Sequence, residues 1–127
     1  VSTAADVVHG ANGRVVKFIG DAVMWVSSTP ELLMDAAIAL VGNTRARAAG
    51  LRVRAGLGYG EVLAISGDYF GNPVNLAARL VASAEPGQIL VSSALHAELP
   101  RHDFAPSRSF TLKGFDAPVT AHPLLCL

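Results

Sequence analysis

The sequence predicts an α+β domain in which helices pack on a mostly antiparallel sheet. Three observations carry that reading. Apolar residues make up 51% of the chain and charged residues 16%, enough to bury a core. Apolar spacing alternates along the chain between a period of two and a period near that of an α-helix. No internal repeat, low-complexity tract or linker divides the 127 residues, so positions 1–127 read as a single domain.

The elements follow in the order β-β-α-β-α-β-α-β-β. "GRVVKFIGDAVMWV", residues 13–26, is rich in β-branched and aromatic residues, and Gly20-Asp21 interrupts it as a hairpin turn would. "SSTPELLMDAAIALV" places Ser/Thr ahead of Pro30 and Glu31, then Leu33, Ala36, Ala37, Leu40 and Val41 on one helical stripe. From Leu51 the period becomes two. Leu51, Val53, Ala55, Leu57 and Tyr59 share one face, and Arg52, Arg54, Gly56, Gly58 and Gly60 the other. A strand with so bare a face implies either that a ligand or another chain lies over it, or that the strand bends or bulges there. "GNPVNLAARLVASA" predicts a helix capped by Asn72, with Pro73 at its first position and Val74, Ala77, Ala78 and Val81 inward. "GQILVSS" is a short strand, "SALHAEL" a short helix, and "SFTLKGF" with "APVTAHPL" a closing hairpin.

Composition narrows the function. Ten Lys plus Arg balance ten Asp plus Glu, so no polyanion-binding surface is implied and nucleic acid is not an expected partner. Apolar runs are broken well short of the ~20 residues a membrane helix needs. The lone Cys126 forms no internal disulfide and reads as packing, and no leader-like stretch opens the sequence, so a cytoplasmic location is expected. His9, His96, His102 and His122 lack close ligand spacing, and there is neither a Gly-Lys-Ser/Thr phosphate loop nor a Gly-x-Ser-x-Gly elbow.

The residues that invite chemistry are few. Asn75 and Arg79, four apart, share a helical face beside the buried stripe. A planar guanidinium suits phosphate and an amide suits a sugar oxygen, although an exposed Arg near a hydrogen-bonding Asn is the ordinary outcome. Asp21 sits at the first turn, where Asp commonly caps local N–H groups. Lys17 is the one charge in the apolar run of the first strand, implying a specific partner or a guarded sheet edge.

Five blocks, "GRVVKFIGDAVM", "GLGYGEVL", "DYFGNPVNLAARL", "PGQILVSS" and "LKGF", occur in one order, and together they resemble the catalytic domain of class III adenylyl cyclases over nearly the whole chain. The resemblance implies a ferredoxin-like cyclase fold and cyclisation of ATP, bound between two catalytic domains, to 3′,5′-cyclic AMP and pyrophosphate, assisted by two divalent ions, Mg or Mn. It implies that Asp21 is one of two metal-binding aspartates. Lys17 and Asp68 fall on the positions that select adenine, where guanylyl cyclases usually carry Glu and Cys. Asn75 falls where the ribose is oriented, and Arg79 where charge developing at the α-phosphate is stabilised. A homodimer would then take Asp21 from one chain and Lys17, Asp68, Asn75 and Arg79 from the other.

Two departures accompany the resemblance. The family's other metal-binding Asp belongs to an opening strand of the type "FADIVGFT", for which there is no room ahead of Lys17, so the chain reads as a fragment missing its opening strand. By itself it is expected to have little or no activity. In "LKGF", Phe115 stands where vertebrate members have a second lysine, leaving Lys113 as the candidate for the triphosphate. The rival reading is a catalytically degenerate module that binds nucleotide or dimerises.

Overall fold

The computed structural model describes residues 14–19, 22–42, 48–50 and 52–125. Strands β1 (Arg14–Ile19) and β2 (Ala22–Val26) pair antiparallel, Phe18 opposite Val23 and Lys17 opposite Met24. Helix α1 (Pro30–Val41) follows as its start signals predict. Thr29 is extended at the N-cap, its Oγ1 accepts the Leu32 N–H at 3.1 Å, and Pro30 occupies the first turn, where its missing donor costs nothing.

A four-stranded sheet holds β3 (Ala55–Leu57), β6 (Ile89–Ser92), β8 (Val119–Pro123) and β7 (Arg108–Phe110), in that spatial order. β3 runs parallel to β6, and the β6–β8 and β8–β7 pairs are antiparallel. β6 is buried on both faces, which explains its unbroken apolar run. On one face Ile89 and Val91 join Ala55, Leu57, Met34, Ala37, Val41, Leu95 and Leu99 in a core covered by α1 and the short helix α3 (Ser93–His96). On the other, Leu90 and Ala121 meet Leu80 and Ala84 of α2 (Asn72–Ser83) together with Leu112. Each large aliphatic side chain so buried contributes about 1.5–3 kcal/mol.

The bare face of the third strand is occupied by the chain's own helix α2, and neither a ligand nor a bulge is needed to explain it. A Cβ on Gly58 would stand 2.5 Å from the Pro73 carbonyl oxygen, and one on Gly56 would stand 2.5 Å from that of Ala77. Arg54, on the same face, donates from Nη1 to the Ala84 carbonyl at the end of α2, 3.1 Å away, where a cation complements the helix C-terminus. The strand is shorter than its alternation predicts. It ends at Leu57, and Tyr59 is 43% exposed.

Two further differences concern the stretch before and within α2. A hairpin of β4 (Leu63–Ile65) and β5 (Asp68–Phe70), absent from the sequence-based order, turns at Ser66-Gly67, both with positive φ (51° and 79°), the geometry that suits two-residue hairpin loops. α2 is capped by Gly71 rather than by Asn72. Gly71 has φ of 139°, open only to glycine, and its carbonyl accepts the N–H groups of Val74 and Asn75, both at 3.1 Å. Of the predicted inward stripe, Val74, Ala77 and Val81 are half-buried, Ala78 is exposed, and the buried residue is Leu80.

Candidate active-site cleft

α2 and the loop after β7 enclose an open cleft of about 400 Å³ lined by Asn72, Asn75, Ala78, Arg79, Lys113, Gly114, Phe115 and Asp116. The helix side follows from pitch: positions 72, 75 and 79 fall within one stripe, and exposed Ala78 leaves space between them. Capping by Gly71 frees the Asn72 side chain from the capping role and leaves it on the cleft wall.

The loop side follows from two anchors. Leu112 is 4% exposed, and Phe115 packs against the core formed with Leu80 and Leu90. Its N–H donates to the Leu112 carbonyl at 3.1 Å, and Gly114, at φ of 87°, permits the turn. Anchoring positions 112 and 115 leaves Lys113 and Asp116 exposed on the cleft wall. Phe115, at the position of the family's second lysine, is thus a packing residue.

Three candidate residues, Asn75, Arg79 and Lys113, therefore meet in one space. All three are exposed, and none of their side chains makes a hydrogen bond or ion pair among the described residues. Two cations against one acid, Asp116, with no ion pair among the described residues, leave the cleft with a net positive charge that attracts an anion.

Asp68 does not line this cleft. It opens β5, half-buried, with Oδ1 accepting the Tyr69 N–H at 2.8 Å. β1, which carries Lys17, runs close to β5, so both candidates for base recognition lie on neighbouring strands. Asp21 lies outside the described residues. Among the described residues no group of three or more His, Cys, Asp or Glu is placed to hold a metal ion, so the part of the chain described does not by itself build a metal site.

Sequence reasoning missed Asn72 and Asp116 as cleft residues. For Asn72 the signal was its spacing of three from Asn75. For Asp116 nothing local pointed to the cleft, because its placement depends on Leu112 and Phe115 both turning inward.

Comparison with known proteins places this geometry in a family. The model of the adenylate and guanylate cyclase catalytic domain matches residues 5–124. An uncharacterized protein of Mycobacterium tuberculosis is 63% identical over 123 residues, covering 97% of this chain and 32% of that protein. An adenylate cyclase of Streptomyces coelicolor is 35% identical over 106 residues, covering 84% of this chain and 28% of that enzyme. The chain thus spans about a third of the length of the curated relatives it matches. Among solved structures, an adenylate/guanylate cyclase/hydrolase from Silicibacter pomeroyi superposes with a TM-score of 0.84 at 25% identity, covering 97% of this chain and 77% of that one. With the family model spanning nearly its whole length, the chain belongs to the adenylate and guanylate cyclase catalytic domain family.

Proposed function

We propose that this chain is the catalytic part of an adenylate cyclase that converts ATP to 3′,5′-cyclic AMP and pyrophosphate. The ribose 3′-oxygen attacks the α-phosphorus, the bond from that phosphorus to the bridging oxygen of the β-phosphate breaks, pyrophosphate leaves, and the hydroxyl proton is lost to solvent or base. The observation that carries the reading is the meeting in one cleft of Asn75, Arg79 and Lys113, whose side chains have no hydrogen-bond or ion-pair partner among the described residues. Arg79 neutralises charge growing at the α-phosphate, Asn75 holds the ribose, and Lys113 takes the departing phosphates. Lys17 donates to a ring nitrogen of adenine and Asp68 accepts from its exocyclic amine, a match guanine does not offer. Mg or Mn, if bound, would lower the charge of the triphosphate and acidify the hydroxyl, and by the resemblance Asp21 is one residue that would hold it.

The active form is read as a homodimer with each cleft completed by the partner. Tyr59, Val62, Leu63, Ile65 and Phe70, each 42–60% exposed, make the β4–β5 hairpin and the segment before it an apolar surface, which supports this. The test is product analysis with ATP or GTP and Mn, on this chain and on a version extended at its N-terminus. Cyclic AMP from ATP in the extended protein, with little or none from the short chain, is expected. Cyclic GMP as the main product would overturn the adenine assignment, and no product, with no binding of a non-hydrolysable ATP analogue, would leave a dimerisation module.

A further inference from the structure

The cleft wall carries an acid that the roles above do not use. Asp116 lines the same space as Arg79 and Lys113, is exposed, and forms neither an ion pair nor a hydrogen bond among the described residues, so its charge acts on whatever enters. It does not cap α2, whose N-terminus has no side-chain cap. Its position is held by the residues before it. Leu112 and Phe115 are packed inward and the Phe115 N–H closes on the Leu112 carbonyl, so the loop holds Asp116 at the wall. A carboxylate beside two cations is a poor feature for a site meant to grip a bare polyphosphate as tightly as it can, since it cancels part of the attraction.

We propose that Asp116 is a specificity-determining residue that makes the cleft discriminate against free polyphosphate and favour its divalent-cation complex. The proposal rests on the reading of Arg79 and Lys113 as polyphosphate ligands. A free polyphosphate brings several negative charges toward Asp116 and is repelled. In the complex the divalent cation cancels about half of that charge and itself attracts the carboxylate, so the repulsion shrinks or reverses. Across an aqueous cleft of this size, with solvent screening, the penalty amounts to about three- to fivefold in Kd at low ionic strength and fades near 1 M salt.

The test is titration calorimetry of inorganic pyrophosphate into the intact protein, once with chelator and once with excess Mg. Asp116→Asn keeps shape and removes charge, so it is expected to tighten free pyrophosphate about three- to fivefold at low salt while leaving the Mg complex unchanged or weaker. Arg79→Ala and Lys113→Ala are expected to lose binding of both. Asp103→Asn, an exposed acid outside the cleft, controls for net charge. Equal affinities for free pyrophosphate in wild type and Asp116→Asn, with Arg79-dependent binding retained, would overturn the filter and spare the site. An equal gain in Asp103→Asn would overturn it too, by reducing the effect to overall charge. No pyrophosphate binding by the wild type would overturn the site itself and the filter with it.

Discussion

Arg79 stands exposed on α2 and its side chain forms no ion pair or hydrogen bond among the described residues, so its charge is available rather than committed to the fold. Removing it is therefore expected to spare stability and strike chemistry. If Arg79 neutralises the transition state, Arg79→Ala lowers kcat by about 10²–10³, the loss typical of one preorganised donor, with a melting temperature within a degree or two of wild type. Single-turnover kinetics beside thermal denaturation check this. A loss of stability matching the loss of rate would show that Arg79 serves the fold instead. That Asn75 and Arg79 share a helical face was legible from their four-residue spacing, whereas a role for them came from the resemblance. The part Phe115 plays was not legible, because the sequence shows that a lysine is missing there but not that an aromatic ring at that point pins the loop to the core.

Among the elements, α2 positions the site and β3 positions α2. The contact is close because Gly56 and Gly58 present no side chains to the helix backbone near Pro73, Ala77 and Val81. Gly56→Ala is expected to destabilise the chain by about 1–3 kcal/mol, since the added methyl meets backbone that cannot rotate aside. Because the displaced helix carries Asn75 and Arg79, affinity for pyrophosphate should fall together with the urea midpoint. Unchanged affinity in a destabilised variant would uncouple the helix position from the cleft. The glycines were visible as a bare strand face, yet their partner was not, because a close approach between segments distant in sequence leaves its mark on one of them only. The β4–β5 hairpin escaped notice for another reason: three-residue strands are too short to establish a period, and the Ser66-Gly67 turn is a weaker signal than Asn-Gly.

At the scale of the whole molecule, α3 is tied to the sheet by a pair of imidazoles. His96 and His122 stack with centroids 3.9 Å apart, Phe104 meets His96 edge-on at 4.8 Å, and His122 Nε2 lies 2.9 Å from Ser93 Oγ. Burial first, and His96 second, push the His122 imidazole below its ordinary value. The folded chain thus disfavours the protonated ring, and the unfolded chain takes up the proton first as pH falls through about 6.5. Stability is expected to fall on acidification through that window and to level off below the folded-state value. The gap between urea midpoints measured at about pH 7.5 and about pH 5 should shrink in His122→Gln, and shrink less in His96→Gln, which removes only the smaller cause. No helix among the described residues is long and apolar enough to cross a membrane.

Local patterns in the sequence determined the kinds of element, the two main helices with their apolar stripes, the closing hairpin and the pair of polar residues on one helical face. These depend on interactions within a few residues, which neighbours in the chain suffice to specify. Tertiary structure alone decided that α2 lies over Gly56 and Gly58, that the loop after β7 faces that helix, and that Asp116 shares a space with Arg79 and Lys113. Such meetings depend on which buried surfaces find each other across long stretches of chain, and no short window of sequence records that.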